Sequence, residues 1–388
     1  MKKEEFNLCL INRSIYPDDF FSHSQNIETF TGWLRVLSRV HIISQANSNR
    51  ITLHSKGNIS ATLIPFKRNK LINNLFFFIL GFIKIFKYQR KYNFFAFQAS
   101  DPSSGILAFF SSKFFNKKFI MEIQGDVFNL PISKEGFWFA KLVRIISISL
   151  CKKANLIRVV SPFLVNDLRK IGINKQKIFL IPPRCNPLIF DPNSIPSIRP
   201  KYDVALENKI LFVGNINESK GLDVLIKALN IVNKLNPSFC LIVVGDGPKR
   251  EDYAKLANSF DMSNKVVFVD RVSYSEMPAY YFHSDIVVLP SFHEGFGRVI
   301  IEAMAMKRPV IGSYTGGIKS LINNNVNGLV FEVGNYKSLS RCINKLISNK
   351  SLVKKLTKNA FEDFIENYSF ETSIKKFNDM HEYAKTQI

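Results

Sequence analysis

The chain has 388 residues, 46% of them hydrophobic, and its 53 Lys and Arg outnumber 31 Asp and Glu to give a formal net charge of +22. This length favours two domains of about 190 residues each, and the apolar fraction is large enough for two cores. The composition excludes a disordered chain and a fibrous repeat. None of the five cysteines forms a C-x-x-C pair, which excludes a disulfide framework or a cysteine metal site and favours reduced thiols.

The N-terminal sequence MKKEEF lacks the pattern of a secretion signal. The most apolar run, residues 75–83, has nine residues, against the ~20 that a membrane-spanning helix needs. The sequence therefore predicts a cytoplasmic protein without a signal peptide or a transmembrane helix.

The positive charge is concentrated in the first half of the chain. Residues 1–200 contain 29 Lys and Arg against 11 Asp and Glu, which is +18, whereas residues 201–388 contain 24 against 20, which is +4. We expect the first half to face an anionic partner, which could be a membrane surface, a nucleic acid or an anionic acceptor molecule.

The sequence pattern of residues 67–91 bears on whether this anionic partner is a membrane. Leu, Ile and Phe recur there at helical spacing (71, 75, 79, 82 and 86), and basic residues bracket the run. The pattern is typical of a helix that lies on anionic lipid, and equally of a helix that packs on a sheet and has basic ends. The two interpretations are compatible. We expect the protein to associate peripherally with the inner face of a membrane.

Strand and helix patterns alternate along the first half. Short apolar runs predict strands at residues 6–12, 41–44, 94–97, 118–123 and 156–160, and helical spacing predicts helices at 26–37, 71–90, 104–114 and 138–151. Six prolines between residues 181 and 200 then predict a hinge near 185–205.

The second half alternates more regularly. Strands are predicted at residues 209–214, 239–245, 265–269, 286–289, 309–312 and 328–331, and helices at 221–234, 250–258, 275–282, 298–307 and 318–323, with further helices to the end. Each strand is a nearly continuous apolar run, as in a sheet buried on both faces. The sequence therefore predicts an α/β protein with doubly wound parallel sheets.

Residues 290–312 carry the most specific pattern. Strand 286–289 ends at Pro290, a loop with Gly295 and Gly297 follows, and then come a helix and a second strand. Ligands bind at such strand–loop–helix units in open α/β sheets. Glu294 in the loop and Glu302 in the helix can face one cleft, and the glycines let the backbone approach a ligand closely.

This segment resembles glycosyltransferase family 4, the retaining, nucleotide-sugar-dependent enzymes of the GT-B fold. The family pattern is approximately E-G-F-G-x-x-x-x-E-A-M-A-x-x-x-P-V-I, followed by a Gly-Gly loop. The chain matches it at Glu294, Gly295, Phe296, Gly297, Glu302, Ala303, Met304, Ala305, Pro309, Val310 and Ile311, with Gly316 and Gly317 as the loop. The resemblance implies two Rossmann-like domains facing a cleft: an acceptor-binding domain over 1–195, a donor-binding domain over 196–365, and a last helix in 366–388 that returns to the first domain.

The resemblance also implies roles for individual residues. Lys220, between a strand and a helix, matches the family's diphosphate lysine, Glu302 binds the ribose hydroxyls, and Glu294 binds the donor sugar. Glu294 and Lys220 are therefore the predicted catalytic residues. The remaining predicted donor-binding residues are Glu302, Gly214, Asn215, Gly295, Phe296, Gly297, Arg298 and Arg271. The implied reaction retains the anomeric configuration, and the leaving phosphate helps to deprotonate the acceptor.

The chain departs from the family pattern at several positions. The arginine that usually follows the strand glycine is Asn215, for which Arg271 or Arg298 could compensate. The family's His-Gly pair on the acceptor side is replaced by glutamine and glycine, and the Gly-Gly loop after the first strand is absent. The predicted acceptor-side residues are Gln124, Gly125 and Asp126. These departures leave open whether activity is reduced or lost.

No Asp-x-Asp motif occurs, and the six histidines show no ligand spacing. The sequence therefore predicts chemistry without a metal ion or another cofactor.

The predicted function is transfer of a hexose-type sugar from a nucleotide-sugar donor to a lipid-linked or oligosaccharide acceptor, with surface polysaccharide or lipopolysaccharide synthesis implied by the resemblance. An anionic membrane surface is the further expected partner. Two alternatives stay open. Asn215 and Gln124 suggest a non-catalytic partner subunit of the same fold. The charge of +18 suggests a nucleic-acid-binding or nucleic-acid-modifying protein, although no nucleic-acid motif is present and no nucleic-acid partner is expected.

Overall fold

The computed structural model describes residues 6–16, 20–22, 30–124, 137–186, 189–194 and 207–386, without the side chains of residues 70, 71 and 137–139. The chain divides into two compact units. Unit 1 is formed by Met1–Ile181 together with Ile374–Ile388, and unit 2 by Pro182–Ser373. The predicted domain boundary between residues 195 and 196 lies outside the described residues.

Unit 1 contains an eight-stranded sheet with the spatial order β3-β4-β2-β1-β5-β6-β7-β8. In chain order these strands are Asn7–Tyr16, Arg39–Ala46, Thr52–Lys56, Ile59–Pro65, Ala96–Ala99, Lys118–Ile123, Leu156–Val159 and Ile178–Leu180. All neighbours pair in parallel except β3 and β4, which are antiparallel. The predicted parallel sheet is therefore present, with an antiparallel hairpin added at one edge.

The hairpin of β3 and β4 is absent from the sequence prediction. Strand β4 is buried throughout, but β3 lies at the edge of the sheet and is partly exposed, so its sequence has no apolar run. Gly57 and Asn58 connect the strands, and Gly57 has a φ of +59°. A Gly-Asn pair between two strand-like segments is a hairpin signal, so the sequence did contain the information. Strand β8 and the helix before it were also not predicted.

The first helices of unit 1 are α1 to α4, which run over Lys70–Tyr92, Pro102–Phe114, Phe137–Lys153 and Pro162–Lys170. Residues 30–33 are helical too, within the predicted helix at 26–37. Helix α2 begins after Asp101, whose carboxylate accepts hydrogen bonds from the backbone N–H groups of Ser103 and Ser104 at 3.0 Å. It lies between α1 and α3 and packs on β1, β5 and β6. Among the described residues, no helix combines the length and apolar character needed to cross a membrane.

Unit 2 contains a six-stranded, entirely parallel sheet with the order β11-β10-β9-β12-β13-β14. The strands β9 to β14 are Lys209–Val213, Cys240–Val244, Val266–Val269, Ile286–Leu289, Val310–Ser313 and Leu329–Phe331. Helices α5 to α12 are Leu222–Leu235, Arg250–Asn258, Met277–Phe282, Arg298–Ala305, Ile318–Leu321, Tyr336–Ser348, Lys350–Asn367 and Phe370–Thr386. Every residue of β10 and β12 is buried, which explains their unbroken apolar sequences. The doubly wound architecture predicted for this half is confirmed.

The last helix, α12, contributes its residues from Ile374 onward to unit 1. Within that unit the ring of Phe377 stacks on Trp33 with centroids 4.6 Å apart, and the Lys385 ammonium lies 4.3 Å from the centre of the Phe6 ring. These contacts confirm the predicted return of the last helix to the first domain.

Candidate active site

The strand order of the unit 2 sheet reverses at its centre, between β9 and β12. From β9 the chain runs outward through β10 to β11, and it then returns to β12 beside β9 and continues outward to β13 and β14. Ligands of open α/β sheets bind at the carboxyl ends of the two strands that flank such a reversal. Here the loops at residues 214–221 and 290–297 follow those two strands, and they contain most of the predicted donor-binding residues.

Lys220 and Glu294 come together across this reversal. The Lys220 Nζ donates a hydrogen bond to Glu294 Oε2 at 2.7 Å, and the two side chains are 24% and 17% exposed. The backbone N–H of Phe292 also donates to the Ser219 carbonyl at 2.8 Å, which ties the two loops together. The two predicted catalytic residues are therefore direct neighbours. The sequence placed both at this edge of the sheet but did not predict their ion pair.

Two glycines hold the backbone of these loops. Gly221 has a φ of +66°, and a Cβ there would lie 2.2 Å from the Pro290 carbonyl oxygen. Gly316 has a φ of +43°, and its Cβ would lie 2.0 Å from the carbonyl oxygen of Glu294. The N–H of Gly317 donates to that same oxygen at 2.8 Å. The Gly-Gly loop therefore fixes the backbone of Glu294 by direct contact, which gives the predicted loop a structural role.

Glu302 is 7% exposed and lies in α8. The hydroxyl of Tyr281 donates to Glu302 Oε2 at 2.8 Å, and Arg298 Nη2 lies 3.6 Å from Glu302 Oε1. Burial raises the pKa of Glu302, while the Arg298 charge and the Tyr281 hydrogen bond act in the opposite direction. Burial, followed by the Glu302 charge, raises the pKa of Tyr281 well above its ordinary value. Glu302 is thus held in one orientation by groups that favour its ionised form.

Tyr281 belongs to the candidate site, although the sequence prediction did not include it. It lies on α7, and its partner Glu302 lies on α8. Only the packing of the two helices brings the hydroxyl to the carboxylate, so no local motif could have indicated it. The nearest signal was a tyrosine in a short helix directly before the strand that leads into the site.

Two helices begin at the same edge of the sheet. Helix α5 starts after Gly221 and α8 after Gly297, and neither start has a side-chain cap. The first N–H groups of a helix lack intrahelical partners and favour negative charge. Phe296 is buried beside the start of α8. The edge therefore carries two helix starts without side-chain caps, that of α5 directly after Lys220 in the chain and that of α8 shortly after Glu294.

The remaining predicted donor-binding residues differ in position. The Gly214 N–H donates to the Val244 carbonyl at 3.0 Å, and Asn215 is exposed beside it. The Arg298 guanidinium lies 5.7 Å from the centre of the Tyr274 ring, close to Glu302. Arg271 is exposed in the loop after β11, the edge strand two positions from β9. Of the two arginines considered as replacements at Asn215, Arg298 has its Nη2 3.6 Å from Oε1 of the predicted site residue Glu302.

The acceptor-side prediction falls in unit 1. Gln124 Nε2 donates to Glu122 Oε1 at 2.9 Å. Glu122 is buried, accepts a second hydrogen bond from Gln98 at 2.8 Å, and forms an ion pair with Arg158 at 3.2 Å. Gln124 is thus held by a buried polar cluster that the sequence did not predict. The other two acceptor-side residues, Gly125 and Asp126, lie outside the described residues.

Within the described part of the chain, no group of three or more His, Cys, Asp and Glu side chains is arranged to hold a metal ion. Metal independence stays a prediction that an activity assay must test.

Residues 195–363 match the model of the family described as glycosyl transferases group 1. An uncharacterized glycosyltransferase of Methanocaldococcus jannaschii is 32% identical over 179 residues, 46% of this chain and 45% of that protein. The alpha-D-kanosaminyltransferase of Streptomyces kanamyceticus is 27% identical over 163 residues, 42% of each chain. This chain thus spans less than half the length of these two relatives.

Similarity of the fold extends over the whole chain. The crystal structure of Anabaena HepE in complex with UDP and glucose superposes with a TM-score of 0.76 at 17% identity, and the match covers 97% of this chain and 100% of HepE. At this identity the likeness concerns the fold. Residues 195–363 are therefore similar to the domain that the glycosyl transferases group 1 family shares, in a chain that has the GT-B fold.

Proposed function

We propose that the protein transfers a hexose-type sugar from a nucleoside diphosphate sugar to an acceptor, with retention of the anomeric configuration. The observation that carries the proposal is the Lys220–Glu294 pair at the strand reversal, in two loops that each lead into a helix without a side-chain cap. The family match over residues 195–363 supports the reaction class. The kanosaminyltransferase relative supports transfer of a sugar, and the HepE complex with UDP and glucose supports a nucleotide-sugar donor.

In the proposed site, three different sets of protein groups bind the diphosphate, the ribose and the transferred sugar of the donor. The Lys220 ammonium and the N-termini of α5 and α8 bind the diphosphate, because all three offer positive charge or N–H donors. Glu302, oriented by Tyr281, accepts hydrogen bonds from the ribose hydroxyls. Glu294 accepts from the hydroxyls of the transferred sugar, which places the anomeric carbon close to the diphosphate.

In the proposed reaction the bond between the anomeric carbon and the diphosphate oxygen breaks, and a bond to the acceptor oxygen forms on the same face of the sugar. The acceptor proton passes to an oxygen of the departing phosphate. The diphosphate gains negative charge as the bond breaks, so Lys220 and the helix N-termini stabilise the transition state more than the ground state. Both glutamates bind hydroxyls here, so the two-carboxylate mechanism of glycosidases is not required.

The acceptor stays a prediction from the resemblance: a lipid-linked or oligosaccharide molecule in surface polysaccharide synthesis. Metal-independent catalysis and a location at the inner face of a membrane are proposed on the same sequence grounds.

A thermal-shift screen of the purified protein against UDP-, GDP-, ADP- and CMP-sugars tests the donor. A ligand at 100 times its Kd should stabilise the folded protein by about 2.7 kcal/mol. Incubation of the stabilising sugar nucleotide with candidate acceptors, followed by NMR of the product linkage, tests transfer and retention. Stabilisation by no sugar nucleotide would contradict the donor site. Stabilisation without transfer to any acceptor would favour the non-catalytic alternative suggested by Asn215, which is exposed where the family has an arginine.

A further inference from the structure

Helix α1 in unit 1 is apolar on two opposite faces. Phe77, Gly81 and Ile85 are buried where the helix packs in the unit. On the opposite side Leu75 is 63% exposed, and Ile72, Ile79 and Ile83 are each about half exposed. An amphipathic helix of a water-soluble domain has a polar outer face instead. The inner face of α1 is accounted for by the core of unit 1, whereas its outer face is not.

The exposed apolar face continues onto the two neighbouring helices. Phe110 and Phe114 of α2 are 54% and 63% exposed, and Leu142 and Ile145 of α3 are 54% and 55% exposed. The rings of Phe78 and Phe110 meet edge to face across α1 and α2 with centroids 5.9 Å apart. Because α2 packs against both α1 and α3, these side chains lie on adjacent helices. We call this the α1–α3 surface. Large exposed apolar patches mark interaction sites.

The charge of the α1–α3 surface indicates what covers it. The sequences of α1, α2 and α3 contain five, one and four Lys or Arg, respectively, and no Asp or Glu. Lys87, Arg90 and Lys113 are exposed, and the Arg90 guanidinium stacks 4.4 Å from the centre of the Phe86 ring. Exposed apolar side chains interleaved with cations, on three helices whose sequences contain no acid, match a bilayer surface that is apolar inside and anionic outside.

We propose that the α1–α3 surface docks unit 1 on an anionic bilayer. Leu75, Ile79, Ile83, Phe110 and Phe114 enter the boundary between headgroups and acyl chains, and the basic residues contact lipid phosphates. The two interpretations of residues 67–91 are then both correct, because α1 packs on its unit with one face and binds lipid with the other. This proposal does not depend on the chemistry of unit 2.

Vesicle co-sedimentation of the whole chain tests the docking. The protein should bind vesicles of phosphatidylcholine with 30% phosphatidylglycerol at ~50 mM salt, bind less at ~500 mM, where the charges are screened, and bind pure phosphatidylcholine least. The double variant Leu75→Glu with Ile83→Glu should lower the partition coefficient at least tenfold, because two apolar anchors are lost. Both residues are more than half exposed, so the thermal unfolding midpoint should stay unchanged.

Leu235→Glu is the matched control. Leu235 is 69% exposed in unit 2, so this substitution introduces the same group away from the α1–α3 surface and should leave vesicle binding as in the unchanged chain. No binding to anionic vesicles at ~50 mM salt, or equal binding by the double variant, would overturn the proposal. Salt-dependent binding to duplex DNA, without binding to anionic vesicles, would also overturn the proposal. A dimer seen by sedimentation velocity that the double variant abolishes, without vesicle binding, would show that a second copy covers the surface.

Discussion

The proposed roles of Glu302 and Glu294 can be separated by two isosteric substitutions. In Glu302→Gln the amide oxygen can still accept from Tyr281, so the change removes the charge and little volume. The lost charge-assisted bonds to the ribose should cost roughly 1.5–3 kcal/mol, which is about a tenfold to hundredfold weaker Kd for the nucleoside diphosphate. Burial raises the pKa of Glu302, which means that burial disfavours its charged form. The folded state should therefore lose little stability.

Glu294→Gln should behave differently. Its proposed partner is the transferred sugar, which the nucleoside diphosphate lacks. Lys220 would also lose its charged neighbour at 2.7 Å and become a stronger phosphate ligand. Affinity for the nucleoside diphosphate should therefore stay the same or rise, while turnover of the sugar nucleotide falls.

Calorimetric titration with the nucleoside diphosphate, beside a turnover assay, measures both effects. Glu251→Gln is the control, because Glu251 is exposed on α6 and should change neither quantity. The assigned roles are wrong if Glu294→Gln loses as much nucleotide affinity as Glu302→Gln. Normal turnover in both variants would mean that the site lies elsewhere.

Lys220→Ala should reduce both nucleoside diphosphate affinity and turnover, measured in the same two assays, because the diphosphate is bound before the reaction and gains charge during it. Turnover should persist in excess EDTA, and a loss that Mg²⁺ or Mn²⁺ restores would contradict metal independence. Gly316→Ala should lower the unfolding free energy in urea by roughly 3 kcal/mol or more, because its Cβ would overlap a backbone carbonyl. Gly57→Ala, whose Cβ would meet nothing within 4 Å, should cost only about 1 kcal/mol of backbone strain. Burial, with the Arg158 and Lys385 charges, lowers the pKa of His381 from 6.5 to about 4. As the pH falls, the His381 imidazole is protonated near pH 6.5 in the unfolded chain but only near pH 4 in the folded chain. The unfolding free energy should therefore fall through this group by up to about 3 kcal/mol between pH 6.5 and pH 4. His381→Gln should remove the His381 contribution and make that slope less steep in urea unfolding followed against pH, while the contribution of His41, whose pKa burial lowers to about 3, stays.

The architecture of unit 2 could be predicted from the sequence because its strands are buried on both faces. A run such as Ile286–Leu289, four apolar residues long and followed by Pro290, is typical of a strand buried on both faces, and the predicted strand has the observed bounds. Strand β3 in unit 1 was missed for the opposite reason. It lies at an edge with one neighbour, so little burial constrains its composition, and only the Gly-Asn turn could have identified it.

The candidate site was predictable where a local motif determines it. Lys220 and Glu294 lie in loops that follow strand ends, and the strand order brings these two residues together, whereas Glu302 lies in the helix after the second loop. The ion pair of Lys220 and Glu294, the Tyr281 hydrogen bond and the Glu122–Arg158 pair beneath Gln124 were not predictable. Each of these interactions joins side chains from two separate elements. Its formation depends on the directions in which those side chains point, and neither periodicity nor motif spacing encodes these directions.

The Lys220–Glu294 pair has a consequence for how the proposed site selects among the many anions of a cell. Any anion that takes the Lys220 ammonium leaves the Glu294 carboxylate without its hydrogen-bond donor in a partly buried position, which carries a penalty. Sulfate brings no hydrogen-bond donor, and inorganic phosphate and free nucleotides lack the hydroxyls of the transferred sugar, which are the proposed partners of Glu294. A sugar nucleotide brings both the anion and the hydroxyls. The Glu294 carboxylate therefore weakens the binding of abundant small anions, and the pair favours the complete sugar nucleotide over them.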